Sequence, residues 1–228
     1  MNETNIQRIT VAGAGFAAVA GVHELRKRLP GASITLVAPS PFFIYYPSLI
    51  WVPYGIRSGD DLTHDIRPVL KKLGVEYRQA AMTGLSEDGR TVETDQGPIE
   101  NDALLIATGG RFMKKLPGIE KAITICEGVE AANRMKDAVE GLESGTVALG
   151  FSSNPKEPSQ LRGGPMFELL FGLDTWLRKQ GTRDRFRLVF FTPAPRPGAR
   201  LGERAVEKML GEMKRRGVET HLGHKMRS

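Results

Sequence analysis

The chain has 228 residues, 40% of them hydrophobic, and a formal charge of +6, enough apolar content for one large core or two modest ones and too little bias for disorder. No apolar run reaches the ~18–20 residues of a membrane span, no signal-peptide pattern precedes the first strand, and the single cysteine, Cys126, excludes an internal disulfide; the expectation is a cytoplasmic protein. From residue 178 onward there are 14 Lys or Arg against 5 Asp or Glu, but no aromatic residues interleave with them, so a solvated helix face around Arg204, Lys208, Lys214, Arg215 and Arg216 is expected rather than a nucleic-acid surface.

In chain order, residues 8–12 read as a buried strand, 16–29 as a helix and 33–37 as the next strand, with Pro30 and Gly31 as the break: a βαβ unit. The turn between strand and helix, GAGFAA at residues 13–18, matches the dinucleotide pattern GxGxxG/A in its proper context. Gly13 makes the tight turn, Gly15 leaves room for a pyrophosphate, Ala18 packs helix on strand, and the helix N-terminus faces the anion. The acidic residue that binds a ribose hydroxyl at the end of the second strand is missing; Ala38 stands there, followed by Pro39 and Ser40. Backbone groups or Ser40 are left to substitute. Residues 63–73 read as a helix and 75–78, 91–94 and 103–107 as strands, with SEDGR at 86–90 as a hairpin turn. Pro117 and Gly118 mark a linker. Beyond it follow helix 129–142, strand 146–150, helix 165–179, strand 187–191, helix 203–216 and strand 218–221.

The strand that ends in Gly150 should turn into a glycine-rich phosphate loop. Ser152, Ser153, Asn154, Pro155 and Pro158 follow instead, and their side chains block the close backbone approach that a pyrophosphate needs. Two readings stand: a nucleotide fold that has lost its phosphate loop, and a plain surface loop. The motif HLGH at 221–224 has neither helical i, i+4 spacing nor a third ligand, so no metal is expected.

The order GAGFAA, then FFIYYPS at residues 42–48, then a hairpin, then LLIATGG at 104–110, resembles the FAD-dependent pyridine nucleotide-disulfide oxidoreductase superfamily. TICEGVEAAN at 124–133 and GGPMFE at 163–168 are most similar to its sulfide:quinone oxidoreductase and flavocytochrome c sulfide dehydrogenase branch. The resemblance covers essentially the whole chain but only the N-terminal half of such an enzyme. It implies an α/β fold, with a Rossmann-like FAD-binding domain at 1–116 that lacks its C-terminal return segment. A second, incomplete Rossmann-like domain with a degenerate phosphate loop follows at 117–228. It implies FAD, with the pyrophosphate at Gly13, Gly15 and the amides of Phe16 and Ala17. The adenosine would lie near Ala38 and Pro39, and the adenine against backbone at Ala81 and Met82. Pro47 would stand near the isoalloxazine ring, and Ala107, Thr108 and Gly109 would line the flavin groove. The aromatic residues around Trp51 and Tyr54 are read as core. Cys126 matches one cysteine of the branch and is the catalytic candidate, a buried, inert cysteine being the other and favoured reading; where another would precede GGPMFE stands Arg162.

The implied function is a flavoprotein oxidoreductase of the sulfide:quinone type. FAD would be reduced by a sulfur nucleophile and reoxidised by quinone or another acceptor, in a truncated or divergent form that alone is an incomplete catalyst. The implied partners are a small sulfur substrate and a quinone, without nucleic acid, and membrane contact is expected only through the missing C-terminal part. Two alternatives stay open, an NAD(P)H-dependent flavoprotein reductase and a non-catalytic dinucleotide-binding module.

Overall fold

The computed structural model describes residues 7–110, 117–151 and 164–224. Its contacts separate two units, Met1–Tyr45 with Asp60–Met113, and Tyr46–Gly59 with Lys114–Ser228. In the first unit, the β-branched run β1 (Arg8–Ala12) turns into helix α1 (Phe16–Arg28) and is followed by β2 (Ser33–Ala38). A short antiparallel ladder of β3 (Phe42–Ile44) with β4 (Thr63–Asp65) precedes the six-residue helix α2 (Arg67–Lys72) and β5 (Val75–Gln79). Three antiparallel strands, β6 (Met82–Leu85), β7 (Thr91–Thr94) and β8 (Ile99–Glu100), lead to β9 (Ala103–Ile106).

Four strands form a parallel sheet in the order β5-β2-β1-β9. The chain steps from β1 to β2 and β5 on one side and returns to β9 on the other, so the strand order reverses between β1 and β9. Alternation with period two divides the apolar residues between the faces. Ile9, Val11, Ile34, Leu36 and Ala38 pack with Ala18 and Val22 of α1, while Ala12 and Val37 face Ala80, Val92 and Ile99. Each fully buried aliphatic side chain here contributes about 1.5–3 kcal/mol.

Residues 63–73, which periodicity reads as one helix, are divided between β4 and α2. A helix begun at Thr63 would carry Pro68 in its interior, without the N–H owed to the previous turn. In the structure Pro68 falls in the first turn of α2, where a missing N–H leaves nothing unsatisfied, and the Asp65 carboxylate accepts the Arg67 N–H at 2.9 Å.

In the second unit, the 3-10 turns of Tyr46–Tyr54 pack on α3 (Val129–Glu140) and α4 (Gly164–Lys179). β10 (Gly145–Gly150), β11 (Phe186–Thr192) and β12 (Val218–Leu222) make a parallel sheet, with α5 (Glu203–Arg215) between the last two strands. Tyr46–Gly59, which chain order puts inside the expected 1–116 domain, groups with this unit because of what it buries. Leu49, Ile50, Val52 and Tyr54 are all buried. The Tyr54 hydroxyl donates to the Leu169 carbonyl, and burial pushes its pKa up. Its ring lies over α4 at Gly172, where a Cβ would stand 2.5 Å from Cε2.

Arg216 also departs from the expected solvated face, being partly buried. With Arg178 and Arg183 it converges on Asp174 at 2.6–2.9 Å. Burial alone would raise the Asp174 pKa, but the hydrogen bonds from Arg178, Arg183 and Arg216 outweigh it and hold the carboxyl below its ordinary value. Arg183 donates further to the carbonyls of Phe186, Arg216 and Gly217, tying α4 to β11 and to the end of α5.

Candidate functional site

β1 runs directly into Gly13, whose N–H donates to the Val37 carbonyl at 2.8 Å and whose φ of +121° strains any other residue. A Cβ at Gly13 would lie 2.7 Å from the Ala107 carbonyl carbon and overlap its oxygen. The Ala107 N–H in turn donates to the Ala12 carbonyl at 2.7 Å. The carboxyl ends of β1 and β9 are thus closed on each other at the switch point, where open α/β sheets bind ligands.

Gly15 is the N-cap of α1, with no side-chain cap and no acidic residue in the first turn. A Cβ there would meet nothing within 4 Å. Phe16 and Ala17, whose N–H groups are orphans of this first turn, are exposed, with the positive end of the helix dipole behind them. Ala18 is fully buried against the sheet, and one turn later a Cβ on Gly21 would stand 2.5 Å from Cδ2 of Leu105. Gly21 is thus a second close-packing position, which the GxGxxG/A pattern does not contain. Phe16 is 50% exposed, its ring edge-on to Phe43 at 4.7 Å and 5.6 Å from Tyr45. Ala17, Thr108 and Gly109 are exposed and Ala107 half-buried. The residues expected at the pyrophosphate and along the flavin groove are therefore together at one end of the sheet.

At the neighbouring end of β2, Ala38 is buried, and its carbonyl accepts the Tyr77 hydroxyl at 2.9 Å and the Ala80 N–H at 3.2 Å. Pro39 and Ser40 are exposed. The Ala81 N–H donates to Oδ1 of Asp95 at 2.8 Å, and its carbonyl accepts the Asp95 N–H at 3.1 Å. Asp95 thus engages both backbone groups of Ala81, whose carbonyl keeps a second lone pair, and Met82 is paired with Thr94 in the β6–β7 ladder.

Pro47 and Cys126 belong to the second unit. Pro47 is exposed; Cys126 is half-buried in the short turn Ile125–Glu127 before α3. Burial pushes the Cys126 thiol up, which lowers its thiolate fraction at neutral pH. At the carboxyl end of β10, Phe151, Phe167 and Phe190 form a cluster with centroids 5.4–6.4 Å apart, and α4 carries Pro165 in its first turn. A Cβ on Gly150 would lie 2.7 Å from the Phe191 ring, so this glycine serves strand packing. The polar stretch from Ser152 to Pro158, Arg162 and the boundary at residue 116 lie outside the described residues. Among the described residues no group of three or more His, Cys, Asp or Glu could hold a metal ion, and no helix is long and apolar enough to cross a membrane.

No family model matches the chain. It is 29% identical over 192 residues to sulfide-quinone reductase of Aquifex aeolicus, covering 83% of this chain and 44% of that protein. It is 27% identical over 227 residues to type II NADH:quinone oxidoreductase of Staphylococcus aureus, covering 93% of this chain and 56% of the relative. The chain thus spans about half the length of the curated relatives it matches. Among solved structures, the sulfide:quinone oxidoreductase of Aquifex aeolicus superposes with a TM-score of 0.86 at 26% identity, covering 97% of this chain and 52% of the other.

Proposed function

The chain belongs to the FAD-dependent pyridine nucleotide-disulfide oxidoreductase superfamily, and from that premise we propose that its first unit holds FAD and that the protein is an oxidoreductase of the sulfide:quinone type. The observation that carries this is the cradle at the switch point, where β1 and β9 meet below an uncapped helix and Gly15 faces open space. Its residues suit an anionic dinucleotide. Gly13, Gly15 and the N–H groups of Phe16 and Ala17 would hold the pyrophosphate, each such bond to a charged group being worth about 1.5–3 kcal/mol. Ala38, Pro39, Ala81 and Met82 would hold the adenosine, and Ala107, Thr108 and Gly109 the other arm. Bound flavin supplies the two-electron carrier; the chain's own groups bind the phosphates and aim the two arms. Pro47 and Cys126 enter the proposal through the family resemblance alone.

The donor proposed is a sulfur nucleophile and the acceptor a quinone, with contact to the membrane peripheral. A nicotinamide donor is disfavoured by the end of β10. There Phe151, Phe167 and Phe190 cluster, and Pro165 lacks an N–H, in contrast to the open glycine turn after β1. The alternative, an NADH-dependent flavoprotein, is favoured by the likeness to an NADH:quinone oxidoreductase over 93% of the chain. Anaerobic titration of FAD-loaded protein separates the readings. Sulfide is expected to bleach the flavin absorbance and NADH to leave it unchanged. Bleaching by NADH alone would overturn the sulfide assignment in favour of the nicotinamide one, and bleaching by neither would leave a dinucleotide-binding module. FAD should bind at least about tenfold more tightly than NADH, a gap of about 1.4 kcal/mol; equal or reversed affinities would refute FAD as the preferred dinucleotide.

A further inference from the structure

We propose that Gln79 takes the place of the missing acidic residue and recognises the 2′-hydroxyl of the adenosine ribose, an inference that rests on the first unit being the dinucleotide site. In a βαβ dinucleotide fold that acid stands at the carboxyl end of the second strand. The position is held here by Ala38, 3% exposed and without a polar side chain. Its carbonyl already accepts Tyr77 Oη–H and the Ala80 N–H, and Pro39, which follows, has no N–H to offer. Ser40 is turned back on its own loop, its Oγ accepting the Phe42 N–H at 3.4 Å. Asp65 is engaged by Arg67 through the backbone N–H and the guanidinium at 2.6–3.0 Å.

Gln79 differs from all of these. It is the residue of β5 in register with Ala38, so the two backbones run about 4.8 Å apart. Val75 and Tyr77, four and two residues earlier, both pack on the core cluster that contains Ala38. Because strand side chains alternate with period two, Gln79 shares that face of the sheet. Its side chain lies beside the place that an acid at position 38 would occupy. It is exposed and makes no hydrogen bond among the described residues. The amide oxygen accepts from a ribose hydroxyl as a carboxylate would, and the NH₂ group can donate to the neighbouring oxygen.

Isothermal titration with ADP and 2′-deoxyADP tests this on the wild type, Gln79→Ala and Gln79→Glu, without recourse to activity. Wild type should prefer ADP by about fivefold, the worth of one ordinary hydrogen bond. Gln79→Ala should bind both nucleotides equally, while Gln79→Glu, which keeps an acceptor at the same place, should retain the preference. All three should melt within about 2 °C of one another, because an exposed side chain carries little packing. A preference that survives Gln79→Ala, or that wild type lacks, overturns the assignment of Gln79 and leaves the cradle standing. Wild type that binds neither nucleotide overturns the dinucleotide reading together with it.

Discussion

Gly13→Ala and Gly15→Val should separate a glycine that the fold requires from one that the ligand requires. At Gly13 the backbone has φ of +121°, a region that costs an L-residue about 1–2 kcal/mol. The new methyl would also overlap the Ala107 carbonyl, and Ala107 is bound through its N–H to the Ala12 carbonyl at 2.7 Å. Relief requires the end of β9 to leave β1, with the loss of one or two ladder hydrogen bonds at about 1 kcal/mol each. The total is about 2–4 kcal/mol, a large part of a typical domain stability of about 5–15 kcal/mol, and at about 2–4 °C per kcal/mol for a chain of this length it lowers Tm by about 4–16 °C. Gly15 sits at φ −86°, ψ −170°, extended backbone open to any residue, with free space where a side chain would go. Valine there should change stability by less than about 1 kcal/mol. Its methyl groups would occupy the pyrophosphate position and weaken FAD by about a hundredfold or more, about 2.7 kcal/mol. Circular dichroism melts and flavin fluorescence titrations on the same samples read both quantities. If Gly15→Val binds FAD as wild type does, the turn is structural only; if Gly13→Ala melts with wild type, the close approach of β1 and β9 is wrong.

Three further outcomes are expected. Gly172→Ala gains about 1 kcal/mol of helix propensity but drives a methyl into the buried Tyr54 ring at 2.5 Å, so urea unfolding should give a net loss of about 1–2 kcal/mol. The same change in a Tyr54→Leu background should be stabilising, and a gain in the wild-type background would contradict the packing. Asp174→Ala strips the shared carboxylate from Arg178, Arg183 and Arg216 and should cost about 3–5 kcal/mol. Because the folded pKa of Asp174 is lowered, that stability is present above the unfolded value near 4 and is lost as pH falls through the folded one. Wild-type and variant urea midpoints should therefore converge in acid; a constant gap would rule out the ionised carboxylate as its source. Cys126, its thiol pushed up by burial, should react with iodoacetamide more slowly than glutathione at neutral pH and speed up as pH rises towards 9. Fast labelling at neutral pH would instead favour a reactive, sulfur-handling thiolate.

The first βαβ unit is legible in the sequence because its signals are local. A β-branched run, a glycine turn with fixed spacing and a helix lie within thirty or so residues, so Gly13, Gly15 and Ala18 can be assigned before any contact is known. The same is true of α3, β10, α4, β11, α5 and β12, whose bounds lie within two residues of those that periodicity predicts. Periodicity fails at residues 63–73, since a three-residue strand has no period of its own and is decided by its pairing with Phe42–Ile44. It is equally silent on Tyr46–Gly59, whose apolar residues could serve either unit until Tyr54 finds Leu169 and Gly172. Nor does any local window reveal that Ala107 closes on Gly13, or that Gln79 stands in register with Ala38. The elements and the glycine turn at 13–18 can be read from the chain because propensity, turn chemistry and spacing act within a few residues. Which strand ends meet, and that Gln79 stands beside Ala38, emerges only in the folded sheet, because strand register depends on burying both faces of an assembled sheet, which involves residues far apart in the chain.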